Sequence, residues 1–299
     1  MKLVIDHMGG LGDAVLDTAY LKLHKQKYPD GITVVMTGPS NGQVFGNCKY
    51  VDKVLIKPLN ITPDDLPEEL LLSFDKVLSI QGSMAWHFLA EVNVNVMKQR
   101  GIQYFSYLNT AEPKDMSISI NNKLPTDLLK DFDFPVIFCA SHCKGTHRQG
   151  KKLPQHIWQN LINENPHISF LQIGLKNEDM HFNDTDNYVD LKDKLTIDQI
   201  VDLVNKTKFF LTTDNFLNHI SGMLQKKGIV FWGASTPKRY GYNHNINLYY
   251  PENLKSNCSP CLHNRLNPNN KCCQADGITS IPIHIINTAI SKLYKELKC

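Results

Sequence analysis

The sequence predicts an α/β protein with two Rossmann-like domains, each built around a parallel sheet. Three observations lead to this prediction. A strand, a glycine-containing turn, a helix and a second strand follow one another over residues 2–36, and a second series of strands and helices starts at Pro135. Residues 211–233 then form a strand, a tight turn, a short helix and a strand. Units of this kind need a parallel crossover, which places each turn at the carboxyl edge of a sheet.

The composition is that of a globular protein. The chain has 299 residues, of which 42% are hydrophobic and 20% charged, and this length suits two domains. No apolar run reaches the length of a membrane span, and Asp6 comes too early for a signal peptide. A cytoplasmic location with at most peripheral membrane contact is therefore expected. The formal net charge of +3 is too small to indicate a nucleic-acid partner.

The N-terminal unit begins with a strand at 2–6 and a helix that carries an apolar face and ends at the turn signal of residues 28–31. The strand Ile32–Met36 follows. The turn between the first strand and the helix contains Gly12-Asp13 but lacks the third glycine of a dinucleotide fingerprint, and Asp13 stands where a pyrophosphate would bind. We therefore reject NAD binding. Asp13 at a glycine turn suits proton abstraction from a hydroxyl; the alternative is a helix cap.

The remainder of the first half continues the alternation of strands and helices up to a polar, proline-interrupted linker at 109–133. We predict a first domain at 1–133 and a second at 134–281. A last helix is predicted at 282–299. The predicted strands are 51–56, 76–80 and 103–107, and the predicted helices are 66–72, 84–100 and, within the linker, 125–129.

The second domain has two candidate ligand-binding loops. The strand 135–140 is followed by a basic, glycine-containing loop up to Lys152, whose cations could neutralise a diphosphate. The alternative is a solvated basic loop. The strand that ends at Thr213 is followed by a turn containing Asp214, and the next helix could hold a phosphate at its N-terminus. Here the alternative is an ordinary loop with Asp214 as the helix cap.

Several short segments of the chain resemble, in their order and spacing, those of glycosyltransferase family 9, the heptosyltransferase-type enzymes. The resemblance covers almost the whole chain. The matching segments are Gly12-Asp13 with Tyr28-Pro29, residues 50–54, Lys152-Leu153-Pro154 with Trp158, and Asp214 with His219 followed by residues 231–233 and Pro237.

The resemblance implies a GT-B fold, in which the last helix at 282–299 would pack back on the first domain. It also implies an inverting transfer of heptose or a similar sugar. The donor would be a nucleotide-sugar such as ADP-heptose, and the acceptor a hydroxyl of a bacterial surface glycan such as lipopolysaccharide. It implies Asp13 as the general base and no cofactor or metal required for catalysis. The donor-binding residues that it implies are Gly12, Lys152, Glu178, Asp214, Asn215, Asn218 and His219.

Two further function classes stay open from the sequence. One is a catalytically inactive sugar-nucleotide-binding partner or regulator, and the other is a glycosyltransferase that modifies a protein or modified DNA. The chain also departs from the family after Asp214, where Asn215-Phe216 replaces a small residue and a glycine. The bulk of Phe216 is expected to narrow the approach of the donor phosphates.

A cysteine group near the C-terminus has the spacing of a metal site. A Cys-x-x-Cys is followed about a dozen residues later by two adjacent cysteines. Structural zinc or iron is one interpretation, and free thiols are the other. The four candidate ligands are Cys258, Cys261, Cys272 and Cys273.

Overall fold

The computed structural model of the protein describes residues 2–7, 9–58, 75–80, 112–140, 151–175, 180–183, 185–233, 237–249, 278 and 281–298. Several predictions fall outside this part of the chain. They are the helices at 66–72 and 84–100, the strand at 103–107, the loop at 141–150, Glu178 and the four clustered cysteines.

The chain forms two compact units. The first contains residues 1–123 and 196–201, and the second contains residues 124–195 and 202–299. The second unit thus starts at Leu124, before the predicted start at residue 134. The backbone N–H of Leu124 donates to Oδ2 of Asp202 at 2.8 Å, which ties this end of the linker to the second unit.

The first unit contains a four-stranded parallel sheet with the order β3-β2-β1-β4. Its strands are β1 (Lys2–His7), β2 (Ile32–Thr37), β3 (Lys53–Ile56) and β4 (Lys76–Ile80), and its helices are α1 (Leu11–Lys27) and α2 (Pro39–Gly46). In the register, Val4 lies beside Val34 and Leu3 beside Lys76. The side chains of Leu3, Val4 and Ile5 are almost completely buried, as expected for a central strand covered on both faces.

Helix α1 is more deeply buried than its sequence suggested. An apolar face was expected, but every residue from Ala14 to Leu21 is buried, including the polar Asp17 and Thr18. Buried polar groups need partners. The hydroxyl of Thr18 donates to the carbonyl of Val15 at 2.7 Å and accepts from the N–H of Ser117 at 3.0 Å.

The second unit contains a six-stranded parallel sheet with the order β10-β9-β8-β5-β6-β7. Its strands are β5 (Pro135–Cys139), β6 (Ser169–Ile173), β7 (Tyr188–Asp190), β8 (Phe210–Thr213), β9 (Gly228–Trp232) and β10 (Ile246–Tyr249). Its helices are α3 (Gln155–Glu164), α4 (Ile197–Lys206, whose first turns belong to the first unit), α5 (Phe216–Met223), α6 (Pro237–Tyr240) and α7 (Ile283–Lys298).

The core of the second unit is aromatic on one face of its sheet. Trp158 of α3 packs edge-on against Phe231 of β9, with the ring centroids 5.5 Å apart. Its ring is tilted by 32° against that of Phe138 of β5, with the centroids 5.2 Å apart. The last helix, α7, buries Ile286 and Ile290 in the same core. The buried face of this helix, which was expected to pack back on the first domain, therefore packs within the second unit.

Two local predictions have clear outcomes. The sequence Thr196-Ile197-Asp198-Gln199 predicts a capping box before α4, and half of it forms, because the N–H of Thr196 donates to Oε1 of Gln199 at 3.0 Å. The short helix at 125–129 is wrong: residues 126–131 form turns, with bonds only between residues three apart, such as Lys130 N–H to the Asp127 carbonyl. A segment this short that opens with a proline has too few hydrogen bonds to sustain a helix without packing on one face. In the described part of the chain, every helix is too short or too polar to span a bilayer.

Candidate active site

Among the described strands, each sheet has a point where the chain connections diverge to opposite sides. In the first sheet, β1 continues to β2 on one side and pairs with β4 on the other. In the second sheet, β5 continues to β6 on one side and pairs with β8 on the other. Open parallel sheets bind ligands at such switch points, beyond the carboxyl ends of the strands. The residues that follow β1, β5 and β8 are therefore the candidates for ligand binding.

Asp13 lies beyond β1, in the first turn of α1 next to Gly12, and its side chain is half-buried. Its Oδ2 accepts a hydrogen bond of 2.7 Å from the N–H of Gly10. This contact caps the helix, so the capping interpretation of Asp13 describes part of what the residue does. The same contact fixes the carboxylate at the switch point, as a positioned base requires.

Gly9 allows this arrangement because the backbone passes very close to Asp13. A Cβ atom at residue 9 would lie 2.5 Å from Cβ and 2.8 Å from Oδ2 of Asp13, which is far inside van der Waals contact. The amide of Asn41 in α2 donates to the carbonyl of Gly9 at 2.9 Å and holds the turn from the other side. The glycine in this turn therefore serves the placement of Asp13.

A buried ion pair lies close to this turn. Nδ1 of His7, the last residue of β1, is 2.7 Å from Oδ2 of Asp17, and both side chains are essentially inaccessible to solvent. Burial lowers the pKa of His7, but the hydrogen bond and the negative charge of Asp17 outweigh it, with a further contribution from Asp13, so the pKa is raised. The pair was not predicted, although a carboxylate within the apolar stretch of α1 was a usable signal.

The second sheet brings a cation and a carboxylate together at its switch point. Asp214, directly after β8, is 5% exposed, and its Oδ2 lies 2.6 Å from Nζ of Lys151. Lys151 follows the loop that leaves β5, so the pair joins the ends of two neighbouring strands. The sequence singled out Lys152 as the cation. Lys152 is half-buried, and no ion pair to it is found within the described part of the chain.

The helix cap after β8 is Asn215 rather than Asp214. Oδ1 of Asn215 accepts from the N–H of Leu217 at 3.0 Å and from the hydroxyl of Thr212 at 2.9 Å. The carboxylate of Asp214 is thus not used as the cap, so the predicted helix cap at this residue is wrong. Phe216, the bulky departure from the family, begins α5 with a half-buried side chain.

Asn218 and His219 lie on the buried side of α5. The amide of Asn218 donates to the carbonyl of Tyr240 at 3.0 Å, and Nδ1 of His219 is 2.9 Å from the hydroxyl of Tyr242. Burial lowers the pKa of His219 to about 4, with Asp214 opposing and Lys151 adding to the shift. His219 is therefore neutral at physiological pH and supports α5 from within. Tyr242 was not singled out from the sequence.

Within the described part of the chain, no group of three or more His, Cys, Asp or Glu side chains could hold a metal ion. The predicted cysteine ligands and Glu178 lie outside that part of the chain, so their geometry does not enter the description of the site.

Two parallel-sheet units, each with an acidic side chain at its switch point, define a protein of the GT-B glycosyltransferase class. The chain belongs to glycosyltransferase family 9 (heptosyltransferase), whose sequence profile matches residues 103–271. It is a glycosyltransferase of the heptosyltransferase type, as the sequence resemblance predicted. No curated protein sequence matches the chain significantly.

Solved structures of similar fold cover nearly the whole chain. A family 9 glycosyl transferase from Veillonella parvula has a TM-score of 0.64 at 15% identity, over 99% of this chain and 97% of that one. ADP-heptose lps heptosyltransferase II from E. coli has a TM-score of 0.64 at 12% identity, over 100% of both chains. The dodecameric iron-containing heptosyltransferase TibC, solved with ADP-D-β-D-heptose, has a TM-score of 0.63 at 12% identity, over 99% of this chain and 78% of that one. These similarities confirm the predicted GT-B fold.

Proposed function

We propose that the protein transfers heptose or a closely similar sugar from ADP-heptose, or a related nucleotide-sugar, to an acceptor hydroxyl with inversion at the anomeric carbon. The ion pair between Lys151 and Asp214 at the switch point of the second sheet carries this proposal. It offers a cation for a diphosphate and a carboxylate for sugar hydroxyls at one position. One similar structure is an ADP-heptose lps heptosyltransferase and TibC was solved with ADP-D-β-D-heptose, which supports this donor class.

The donor is assigned to the second unit. In this assignment Lys151 and Lys152 neutralise the diphosphate, and Glu178 contacts the nucleoside. The N-terminus of α5, capped by Asn215, faces the phosphates with its positive dipole end. The side chains of Asn218 and His219 contact Tyr240 and Tyr242, so their proposed contribution is to hold α5 in place for the donor.

The acceptor is assigned to the first unit, with Asp13 as general base. Asp13 takes the proton of the acceptor hydroxyl while that oxygen forms a bond to the anomeric carbon of the donor sugar. The bond between the anomeric carbon and the diphosphate oxygen breaks, and the nucleoside diphosphate leaves with the bonding electrons. Lysine side chains and the α5 terminus stabilise the charge that develops on the leaving group, so this route needs no metal ion. A bacterial surface glycan is the proposed acceptor class.

The cysteine group is proposed to hold a structural metal ion. Four cysteines in this spacing suit zinc or iron, and TibC is described as iron-containing. Elemental analysis of the purified protein should find close to one metal ion per chain, and chelation should lower the melting temperature while donor binding persists. A metal-free protein with unchanged melting would contradict this part of the proposal.

The test of the function combines binding, transfer and stereochemistry. Melting temperature is measured with ADP-heptose, other nucleotide-sugars and free nucleoside diphosphates, because a ligand of the native state must raise it. The stabilising donor is then used for transfer, and NMR of the product gives the anomeric configuration. Asp13→Asn should slow transfer about a hundredfold or more with donor binding retained. The exposed Asp30→Asn serves as a matched control.

Three results would overturn the proposal. They are a product with retained configuration, a wild-type rate for Asp13→Asn, or the absence of stabilisation by every nucleotide-sugar. Donor binding without transfer to any glycan would favour a catalytically inactive sugar-nucleotide-binding protein. Transfer to a protein or to modified DNA would favour a glycosyltransferase with that acceptor.

A further inference from the structure

The buried pair of His7 and Asp17 is not explained by the fold. Taking two ionisable groups out of water is costly, and an apolar pair of the same size would pack β1 against α1 at least as well. Two atoms of the pair, Nε2 of His7 and Oδ1 of Asp17, are buried with no hydrogen-bond partner within the described part of the chain. A pair that leaves hydrogen-bonding capacity unused adds little to stability, which raises the question of what else it does.

The pair adjoins the proposed base. Asp13 and Asp17 are one helical turn apart on α1, so both project from the same side of the helix. His7 ends β1 two residues before Gly9, the residue whose backbone presses against Asp13. The strand end, the turn and the first two turns of α1 therefore form one connected unit, with His7 on its inner side and Asp13 at its rim.

The charge of His7 acts mainly on the carboxylates of Asp13 and Asp17. Within the described part of the chain, the charged groups that face the imidazole are Asp17 and Asp13, both on α1. From α2, the ring of Phe45 packs against it edge-on, with the ring centroids 5.1 Å apart. The charge of a buried imidazolium is screened little in such surroundings and therefore acts over a longer distance than a surface charge.

We propose that His7, held by Asp17, is a positioning residue for Asp13, and that its imidazolium keeps the Asp13 carboxylate ionised at the switch point. The inference rests on the proposed function, in which Asp13 is the general base. Asp17 fixes the imidazole ring through Nδ1 and stabilises its charge. His7 is too buried to touch a substrate and acts only through Asp13.

The coupling between the two groups is reciprocal. The charge of Asp13 raises the pKa of His7, so by linkage a protonated His7 favours the ionised form of Asp13 by the same interaction free energy. Without the imidazolium, a larger fraction of the base should be protonated at mildly acidic pH. Transfer should then be lost on the acid side of the pH profile first.

The first measurement needs no enzyme activity. Histidine Cε1–H signals are followed by NMR through a pH titration of wild-type protein and of Asp13→Asn, with His7→Gln used to assign the His7 signal. The pKa of His7 should fall by about half a unit or more in Asp13→Asn. An unchanged His7 titration in that variant would overturn the inference. This test stands even if His7→Gln folds poorly, because Asp17→Asn can provide the assignment through the altered His7 signal.

The second measurement is the pH profile of kcat. In His7→Gln the acid limb should move to higher pH by about half a unit or more, while KM for the donor and kcat on the alkaline side change little. His24→Gln is the matched control, since it removes a second buried histidine, on α1, whose pKa is lowered to about 4 by burial and which is uncharged at neutral pH. A loss of kcat that is equal at all pH values would mean a purely structural role and would overturn the inference. A wild-type rate for Asp13→Asn would instead overturn the proposed function.

Discussion

Nζ of Lys151 lies 2.6 Å from Oδ2 of Asp214, and the two residues follow neighbouring parallel strands of the second sheet. The pair places opposite charges at the switch point. In the proposed function, a diphosphate that binds there would compete with Asp214 for the ammonium group of Lys151. The cost of separating the pair is offset because the diphosphate carries more negative charge than one carboxylate.

The first prediction compares the two adjacent lysines. Lys151→Met should weaken binding of both nucleoside diphosphate and nucleotide-sugar about tenfold or more, and it should also slow transfer, because the cation stabilises the leaving group as well. Lys152→Met is the matched control and should have the smaller effect on both quantities. Calorimetry gives the affinities. The reverse order of effects would mean that Lys152, the residue singled out from the sequence, is the principal phosphate ligand.

The second prediction concerns the sugar. Asp214→Asn keeps the shape of the side chain but removes its charge, so affinity for the nucleotide-sugar should fall more than affinity for the free nucleoside diphosphate. The free diphosphate could even bind better, since Lys151 no longer has a competing carboxylate. Both ligands are compared by calorimetry. Equal losses for the two ligands would remove the sugar-binding role of Asp214.

The third prediction uses the close approach at Gly9. Gly9→Ala places a Cβ atom 2.5 Å from Cβ of Asp13, so the carboxylate must move. The rate of transfer should therefore fall by about tenfold or more, while donor affinity stays unchanged. In the control Gly10→Ala, the new Cβ atom lies 3.6 Å from Oδ2 of Asp13, an ordinary contact. This control should retain most of the rate. Similar losses in both variants would show that Asp13 is not displaced by the added methyl group.

The fourth prediction concerns stability in acid. The folded protein keeps His219 neutral down to about pH 4, whereas the unfolded chain protonates it near pH 6.5. Between these values the unfolded state binds more protons, so the free energy of unfolding falls as the pH is lowered through this window. Over the whole window, the low pKa of His219 reduces the free energy of unfolding by about 3 kcal/mol.

Denaturant unfolding at pH 7 and pH 4.5 measures this change. His219→Gln should lose less stability between the two pH values than the wild type, although it is less stable at pH 7 because its contact with Tyr242 is altered. His156→Gln, at an exposed position of α3, is the control and should keep the wild-type pH dependence. The same pH dependence in all three proteins would contradict the assignment of a buried, neutral His219.

The local sequence was sufficient for most of the fold. Strands such as β1 and β9 consist of short apolar runs between turn signals, and α4 opens with a capping box, so their type and position could be predicted. The short strands β7 and β10 were not predicted, because three or four residues in a polar segment show no recognisable alternation of hydrophobic and polar side chains. These strands are fixed instead by pairing with a neighbouring strand.

By itself, the sequence determined the α/β class, the family, and the two switch-point carboxylates Asp13 and Asp214, since each follows directly on a strand and a turn. The tertiary structure alone decided which partners these carboxylates have. It pairs Asp214 with Lys151 rather than Lys152. It also brings His7 into contact with Asp17, which lies one helical turn from Asp13. The physical reason is that strand order and burial are properties of the packed chain. Residues distant in sequence come within 3 Å only when parallel strands align, and their charges gain strength only when the surrounding core excludes water.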